Sequence, residues 1–327
     1  MISVIVLAYN IKAFLEECLD SILNQTFQDL EIIIVDDCST DGTSALCDTL
    51  AHKDSRIRVI HLPENKGVSN ARNVGIKASH GDYVYMIDGD DFIHPQMLEV
   101  LLYLLDGTEY DFSMVRGIKV PSDAGLDFFD GRNHNNYSSK RELNQRELMY
   151  YLWGFGNLQY VVVWNKLYRR EQIEDVESLP TASQDSNWNI RVAMKVRKVI
   201  ILDEVMYAWR QHDASITHQG VNFRLIDRIN SYLLSYRAVE KSKPEFKSYA
   251  LDGLYREIFY TKFHARGTAF YSLAKQFAAN AKKETFGELL RCRELKWWKK
   301  LKIVLFYYFP ILYRWYMAIL KRFFWQL

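Results

Sequence analysis

The first hundred residues alternate between short apolar runs and segments in which apolar residues recur with a helical period. The apolar runs are rich in β-branched residues and span 2–8, 30–36, 57–62 and 83–88. Continuous apolar runs of this length are typical of strands that are buried on both faces of a parallel sheet. Because helical segments separate the runs, the pattern predicts βαβ units and an α/β fold, a mostly parallel sheet with helices on both faces.

Beyond residue 110 the pattern becomes mixed. Four further strands are predicted in this part of the chain, at 110–118, 161–164, 199–203 and 205–209. A helix is predicted near 186–196, and the polar segment 121–140 is predicted to be a long loop. From about residue 221 helical spacing continues to the end of the sequence.

This change of pattern divides the chain. We expect one domain over residues 1–218, made of the halves 1–110 and 111–218, followed by a helical C-terminal region over 219–327. The last part of that region, 296–327, reads as a basic, aromatic, amphipathic tail. The sequence leaves the oligomeric state open, with a homodimer among the possibilities.

Composition narrows the class of protein. The chain has 327 residues, of which 49% are hydrophobic and 25% are charged, and this excludes disordered and fibrous proteins. Its four cysteines show no CxxC pair and no metal-ligand spacing, so a reduced, cytoplasmic setting is expected. The first residues lack a basic segment, so we expect no signal peptide.

The end of the chain differs in charge from the rest. A total of 42 Lys and Arg against 40 Asp and Glu conceals nine basic residues and one acidic residue in 291–327. Aromatic residues beside lysines are typical of helices in a membrane interface, so we expect peripheral contact with the inner face of the cell membrane. Pro310 and Arg314 interrupt the apolar stretch 303–320, which disfavours a membrane span. The alternative is a helix that packs on the protein or on a second copy, and no nucleic-acid partner is expected.

Carboxylates gather where two of the predicted strands end. Asp88, Asp90 and Asp91 follow the fourth strand, and Asp36 and Asp37 close the second. Open α/β sheets bind ligands beyond the carboxyl ends of their strands, and carboxylate oxygens suit Mg²⁺ or Mn²⁺. The group of three predicts a divalent metal site, with a solvated turn as the alternative. The pair predicts a contact with a base or ribose, with a helix-capping loop as the alternative.

Four motifs occur in order within the segments SVIVLAYN, SILNQTFQDLEIIIVDDCSTDGT and NKGVSNARNVGIKASHGDYVYMIDGDD. Together they resemble family 2 glycosyltransferases of the GT-A fold, of the bacterial cell-surface polysaccharide type. The resemblance is dense over 1–110 and thinner up to about residue 218. It implies a GT-A nucleotide-diphospho-sugar transferase fold in which 1–110 binds the nucleotide and 111–218 binds the acceptor.

The resemblance also implies roles for individual residues. Asp37 would receive the base, which is uracil in the usual donors. Asp88 or Asp90 would reach the ribose, and Asp90 or Asp91 would bind the metal that bridges the diphosphate. The implied nucleotide-binding set as a whole is Ala8, Tyr9, Asn10, Asp36, Asp37, Gly67, Asn70, Arg72 and Asp88.

The catalytic base of this family usually lies in a Glu-Asp pair before a helix. The corresponding pair here is Gln184 and Asp185, so the resemblance implies that Asp185 is the base, although the glutamate is replaced. From the residues alone, a helix N-cap is the alternative for Asp185. Arg210 and His212 lie in a segment that matches the family and are candidates for contact with the diphosphate or the metal, with a structural role as the alternative.

The implied activity is an inverting, single-displacement transfer of a hexosyl or N-acetylhexosaminyl group. The donor would be a UDP-sugar, the acceptor a hydroxyl of a glycan or lipid-linked molecule, and the cofactor Mn²⁺ or Mg²⁺. One alternative is a catalytically inactive scaffold that binds nucleotide-sugars at the membrane, which the substitution at Gln184 leaves open. Another is a sugar-nucleotide pyrophosphorylase, which would need a Gly-rich loop after the first strand that the sequence AYNIKAF does not provide.

Overall fold

The structure is a computed structural model, and it describes four stretches of the chain, residues 1–130, 139–154, 158–212 and 223–308. The chain divides into two compact units, Met1–Gly220 and Val221–Leu327. Over the described residues, the first unit contains a β-sheet with its covering helices, and the second is helical.

One mixed sheet of nine strands, counted over the described residues, forms the centre of the first unit. The strands are β1 (Ile2–Ala8), β2 (Leu30–Asp36), β3 (Ile57–His61), β4 (Tyr83–Asp88), β5 (Phe92–Ile93), β6 (Phe112–Pro121), β7 (Lys140–Asn144), β8 (Lys166–Arg169) and β9 (Lys198–Gln211). Their order is β3-β2-β1-β4-β8-β6-β9-β5, and β7 pairs with β9. The first four strands are parallel, whereas β8 runs antiparallel to β4 and β6. The predicted α/β fold with a mostly parallel sheet is confirmed.

Helices cover both faces of this sheet. Those of the described first unit are α1 (Lys12–Leu23), α2 (Thr43–Lys53), α3 (Val68–Ala78), α4 (Met97–Leu105), α5 (Gln145–Gly154), α6 (Leu158–Val161), α7 (Arg170–Ile173) and α8 (Gln184–Ala193). Val4 and Val6 of β1 share a core cluster with Leu15 of α1. On the other face α3 packs so closely that a β-carbon on Gly75 would lie 2.4 Å from Ile5 Cγ2. This two-sided cover explains why β1 is buried along its whole length.

Three of the predicted strands differ from the structure. The strand predicted at 161–164 is wrong, because α6 ends at Val161 and β8 begins only at Lys166. The strands predicted at 199–203 and 205–209 are one continuous strand, β9. In both cases the partners decide the bounds: β8 extends only where it pairs with β4 and β6, and β9 pairs along most of its length with β6.

The predicted loop 121–140 contains more structure than expected. Residues Leu126–Phe129 form a short 3-10 turn, and Phe129 is buried against Phe92 and Ala208. Residues 131–138 lie outside the described part of the chain. The turn is held by its aromatic side chains, which pack on the edge of the sheet. Because the segment as a whole is polar, its sequence pattern did not predict this turn.

The second unit confirms the predicted helical region over its described residues. Its helices are α9 (Phe223–Ser242), α10 (Lys247–Ala265), α11 (Tyr271–Arg291) and α12 (Trp297–Tyr308). A half-buried ion pair joins α9 to α10, with Arg228 Nη2 2.8 Å from Glu257 Oε2. Among the described residues, no helix has both the length and the apolar character needed to cross a membrane. Residues 309–327 of the predicted tail lie outside the described part.

Candidate active site

The register of the sheet brings two aspartate-bearing loops to the end of β1. This strand ends beside Asp36 of β2 on one side and Asp88 of β4 on the other. The N–H of Gly89 donates to the carbonyl of Leu7 at 2.9 Å, so the loop after β4 lies directly on β1. A β-carbon at position 89 would lie 2.4 Å from Ile11 Cδ1, and a glycine is therefore needed for this close approach.

Three carboxylates interact across this edge of the sheet, and we call Asp88, Asp90 and Asp185 the carboxylate cluster. All three side chains are partly buried. Burial raises the pKa of Asp88 to about 7, with further contributions from Asp90 and Asp185, although Arg72 acts in the opposite direction. A carboxyl pKa raised in this way means that the folded protein disfavours the fully ionised cluster until a cation neutralises it.

The residues around Asp90 fit a divalent cation. His212 Nε2 lies 2.8 Å from Asp90 Oδ2, and the histidine ring lies 4.7 Å from that of Phe14. Carboxylate oxygens and imidazole nitrogens both ligate divalent metals. Over the ranges described above, no three His, Cys, Asp or Glu side chains are arranged to hold a metal ion by themselves. A cation at Asp90 would need further ligands from a bound molecule, and phosphate oxygens are common ligands of Mg²⁺.

Asp91 lies apart from this cluster. Its side chain is 1% exposed, one oxygen accepts from the backbone N–H of Arg210 at 2.8 Å, and the other accepts from the hydroxyl of Tyr207. Burial raises the pKa of Asp91, as do the charges of Asp90 and Asp88. Because both of its oxygens are engaged away from solvent, Asp91 holds β9 to the loop after β4. Of the two residues predicted to bind metal, Asp90 is partly exposed and Asp91 is buried, so Asp90 is the candidate ligand.

Arg210, predicted as a contact for the diphosphate or the metal, is 1% exposed. It donates to the carbonyls of Asp90 at 3.1 Å and Ala124 at 3.0 Å, and it forms an ion pair with Glu17 of α1. Its guanidinium carbon lies 4.9 Å from the ring centre of Phe92. Arg210 therefore holds the loop after β4, and Glu17 is a partner that sequence reasoning missed.

The two aspartates at the end of β2 are held in different ways. Asp36 is 1% exposed and lies 2.9 Å from His61 Nδ1. Asp37 accepts hydrogen bonds from the backbone N–H groups of Lys66 at 2.9 Å and Gly67 at 2.7 Å. Gly67 has a φ of 83°, which favours glycine. Asp37 thus fixes the loop that leads into α3, whereas Asp36 is enclosed by the loop that follows it.

The turn after β1 presents an aromatic ring beside these aspartates. Ala8 is buried at the end of the strand, Tyr9 is 47% exposed, and Asn10 has a φ of 52°. Asn10 Oδ1 accepts from the N–H of Thr40 at 2.8 Å, which fixes this turn to the loop after β2. Asn70, in the first turn of α3, is partly exposed. The exposed Tyr9 ring is suited to stacking on a planar base.

An ion pair ties Asp185 to α3. Asp185 Oδ1 lies 2.5 Å from Arg72 Nη2, and the arginine side chain is 1% exposed whereas that of Asp185 is 25% exposed. Arg72 also donates to the hydroxyl of Ser178 at 3.1 Å, and its guanidinium carbon lies 5.8 Å from the Trp188 ring centre. The N-cap of α8 is Ser183, so Asp185 lies inside the first turn and is not the N-cap. Arg72, expected in the nucleotide pocket, is instead buried against Asp185.

Sequence reasoning missed the residues that support this ion pair. Asn73 exchanges two hydrogen bonds with the backbone of Ser178, at 2.7 and 2.9 Å, and Ser69 donates to the carbonyl of Leu179 at 2.8 Å. The spacing carried a signal, because Ser69, Arg72 and Asn73 recur at three and four residues on one face of α3. Polar residues at such positions indicate a helix that faces a polar partner inside the protein.

A second buried cation lies near Asp185. Lys166 is fully buried, and its Nζ donates to the carbonyl of Gln159 at 3.2 Å and to Asn165 Oδ1 at 2.9 Å. Burial lowers the pKa of Lys166 to about 7, while the charge of Asp185 acts in the opposite direction. Two basic side chains that solvent does not reach, Arg72 and Lys166, therefore lie near Asp185.

Fold and site together define a class of protein. A sheet of this order, with acidic loops gathered at the carboxyl ends of its parallel strands, is the GT-A fold of the transferases that use nucleotide-diphospho-sugars. The model of the family "Glycosyl transferase family 2" matches residues 3–177, which is more than half of the chain. The chain belongs to glycosyltransferase family 2.

Relatives with similar sequences carry glycosyltransferase names. The chain is 33% identical over 225 residues to the uncharacterized glycosyltransferase EpsJ of Bacillus subtilis, covering 66% of this chain and 63% of EpsJ. It is 29% identical over 224 residues to the glycosyltransferase GlyG of Streptococcus pneumoniae, covering 66% of this chain and 72% of GlyG. The chain thus spans slightly less than two thirds of the length of EpsJ.

Solved structures support the same fold. S. aureus TarS residues 1–349, crystallised with UDP-GlcNAc, superimposes with a TM-score of 0.66 at 20% identity, covering 86% of this chain and 79% of that one. The mannosyltransferase PcManGT from Pyrobaculum calidifontis, in complex with GDP-Man and Mn²⁺, gives a TM-score of 0.55 at 18% identity, with coverages of 97% and 83%. At these identities the likeness establishes the fold alone.

The different surroundings of Asp91 and Asp90 lead to different expected effects on stability. Asp91→Ala should lower the free energy of unfolding by about 1–3 kcal/mol, because it leaves the Tyr207 hydroxyl and the Arg210 N–H without their acceptor. Asp90→Ala should change it by less than about 1 kcal/mol, since Asp90 is partly exposed and its removal also relieves like-charge repulsion. Thermal unfolding of both variants without added metal would check this, and equal losses would contradict a purely structural role for Asp91.

Proposed function

We propose that this protein is an inverting glycosyltransferase that moves a sugar from a nucleotide-diphosphate donor to a hydroxyl group. One observation carries the proposal: Asp185, held by the buried Arg72, lies at the same edge of the sheet as Asp88 and Asp90. A candidate base and a candidate cation site are thereby placed within electrostatic reach of each other. A single displacement needs this combination of a proton acceptor and a stabilised leaving group.

We propose a UDP-sugar as the donor. The exposed ring of Tyr9 would receive the base beside the loop that Asp37 fixes, and Asp88 would reach the ribose, with Gly67 and Asn70 lining the pocket. The TarS structure with UDP-GlcNAc supports a uridine nucleotide, although PcManGT is described with GDP-Man. A hexosyl or N-acetylhexosaminyl group is the proposed sugar.

Asp90 and His212 would hold a divalent cation, Mn²⁺ or Mg²⁺, together with the diphosphate of the donor. The presence of Mn²⁺ in the PcManGT complex supports this cofactor. The pKa of Asp88, raised by burial and then by the charges of Asp90 and Asp185, also favours neutralisation by a cation. When bound, such a cation stabilises the negative charge that develops on a leaving diphosphate. Asp90 and His212 already lie 2.8 Å apart, so little rearrangement of the chain is needed.

In the proposed reaction the acceptor hydroxyl attacks the anomeric carbon opposite the diphosphate. Asp185 takes the hydroxyl proton, the bond between the anomeric carbon and the diphosphate oxygen breaks, and the nucleoside diphosphate leaves with the electron pair. Arg72 acts as a positioning residue that directs the Asp185 carboxylate at the acceptor. General-base assistance of this kind contributes about 10²–10⁴-fold in rate.

The acceptor is proposed to be a glycan or a lipid-linked molecule in cell-surface polysaccharide biosynthesis. The sequence relatives of the family and the basic, aromatic tail over 296–327 support this setting. Contact of that tail with the cytoplasmic face of the membrane would bring the enzyme to a lipid-linked acceptor. Residues 309–327 lie outside the described part, so this element of the proposal rests on the sequence.

Asp185→Asn should reduce turnover by about 10²–10⁴-fold and leave nucleotide affinity nearly unchanged, because the amide cannot accept the proton. The measurement is release of UDP from a panel of UDP- and GDP-sugars with Mn²⁺, Mg²⁺ or EDTA. Asp175→Asn, at an exposed aspartate paired with Lys195, is the matched control and should retain activity. If the wild type binds UDP in a cation-dependent manner but consumes no donor with any acceptor fraction, the protein is a binding scaffold and the proposal fails.

Arg72→Met separates a positioning role from contact with the nucleotide. If Arg72 positions Asp185, kcat should fall by roughly 10–100-fold while the KM for the donor changes little, since small misplacement of a reacting group is costly. Arg72→Lys should restore part of kcat, because lysine keeps the charge but not the second bond to Ser178. A large rise in KM at constant kcat would instead place Arg72 in the nucleotide pocket.

The pKa of Asp88 predicts a link between stability, pH and metal. This pKa is raised from 3.8 to about 7, so the folded protein binds the proton more tightly than the unfolded chain does. Without metal, the contribution of Asp88 to stability is therefore greatest at low pH and declines as pH rises from about 4 to about 7. Mn²⁺ with UDP should raise the melting temperature more at pH 7.5 than at pH 5.5.

Thermal unfolding across this range, with and without Mn²⁺ and UDP, tests the link. Asp88→Asn should make the rise in melting temperature with Mn²⁺ and UDP nearly independent of pH, because the amide does not titrate. Asp82→Asn, at an aspartate whose side chain is 82% exposed, should leave the dependence as in the wild type. An identical metal-induced shift at both pH values in the wild type would count against Asp88 as the titrating group.

A further inference from the structure

The helical unit carries a concentration of positive charge outside the predicted tail. Residues 258–283, which form the end of α10 and the first half of α11, contain five Lys and Arg residues and no Asp or Glu. Residues 295–308, which include α12, contain four lysines and no acidic residue. Positive charge concentrated over three helices indicates an anionic partner.

Three of these lysines influence one another across two helices. Burial lowers the pKa of Lys262 on α10, and Lys275 and Lys282 on α11 lower it further. Lys262 Nζ also lies 4.8 Å from the ring centre of Phe306 on α12. The fold therefore keeps three ammonium groups close enough to repel one another, next to an aromatic side chain. Such repulsion is relieved when anionic groups bind beside the lysines.

Large aromatic side chains are exposed on the same helices. Phe263 is 66% exposed and Tyr260 is 44% exposed, three residues apart on α10, directly beside Lys262. Trp297, at the start of α12, is 73% exposed, and Lys299 Nζ lies 5.6 Å from the ring centre of the neighbouring Trp298. Leaving such rings in water costs free energy that burial in an apolar medium would recover.

Two contacts show that α12 runs parallel to α10. Lys299 pairs with Asp252 at 2.6 Å near one end, and Phe306 packs on Phe259 with ring centres 4.9 Å apart near the other. The exposed rings and the lysines are thus distributed along two adjacent helices. Their combined length, rather than a single side chain, presents a basic and aromatic face.

We infer that this face of the helical unit binds to an anionic lipid bilayer. We define it as the basic aromatic surface, formed by Tyr260, Lys262, Phe263, Lys275, Lys282 and Trp297. Aromatic rings lie at the level of the lipid headgroups in such contacts, and lysines pair with anionic headgroups. The inference places membrane binding on α10 and α11 as well as on the tail, and it does not depend on glycosyl transfer.

Co-sedimentation of the full-length protein with vesicles tests the inference. The wild type should bind vesicles of phosphatidylcholine mixed with phosphatidylglycerol, bind pure phosphatidylcholine vesicles far more weakly, and lose binding as salt is added. The combined variant Lys262→Gln, Lys275→Gln and Lys282→Gln should weaken binding to the anionic vesicles by roughly fivefold for each lysine, or about a hundredfold in total. Phe263→Ser should weaken it by about tenfold.

Matched control variants remove the same groups elsewhere. Lys53→Gln, Lys77→Gln and Lys241→Gln together remove three exposed lysines outside the surface, and Tyr103→Ser removes an aromatic residue that is 59% exposed on α4. Both controls should bind vesicles as the wild type does, and all variants should keep the wild-type melting temperature, since the side chains are partly or fully exposed.

Three results would overturn the inference. The first is unchanged binding of the triple-lysine variant to anionic vesicles. The second is equal binding of the wild type to charged and uncharged vesicles. The third is retention on heparin without vesicle binding, which would identify a soluble polyanion as the partner. Because donor consumption is not measured, failure of this test leaves the proposed glycosyl transfer untouched, and failure of the transferase assay leaves this surface untouched.

Discussion

The arrangement of the first unit depends on the negative charge that gathers at the edge of the sheet where the parallel strands end. The loops after β2 and β4 and the first turn of α8 all bring carboxylates to this region, where like charges repel one another. The chain places a basic side chain beside two of them, Arg72 at Asp185 and His212 at Asp90. Burial, together with the charges of Asp90 and Asp185, raises the pKa of Asp88 to about 7.

Two buried arginines fix the positions of the segments that meet at this edge of the sheet. Arg72 joins α3 to α8, and Arg210 joins β9 to Glu17 of α1 and to the loop after β4. A guanidinium group can bond several acceptors in fixed directions at once, which a lysine cannot do. Buried ion pairs are weak evidence of stability, but they specify which segments meet. The same contacts therefore hold the fold together and set the position of the carboxylate proposed as the base.

The second unit presents the opposite charge. Its lysines cluster on α10 and α11 and along α12, beside aromatic rings, whereas the acidic groups of the first unit surround a predicted cation site. The near-neutral total of the chain hides both features. We propose that the negative charge of the first unit binds a cation together with a diphosphate. The positive charge of the second unit, in turn, is proposed to bind anionic lipid headgroups.

The amino-acid sequence alone determined the alternation of strands and helices, the aspartates at the ends of β2 and β4, and the helical second unit, because these features depend on local periodicity and on where strands end. Which aspartate faces which partner depends on the tertiary fold and could not be predicted from the local sequence. Arg72 and Asp185 are 113 residues apart, and Asp91 meets the backbone of Arg210 across 119 residues. The start of β8 at Lys166 likewise depends on β4 and β6. A local pattern specifies whether a side chain is buried, but the direction of a carboxylate is set by donors that distant segments supply.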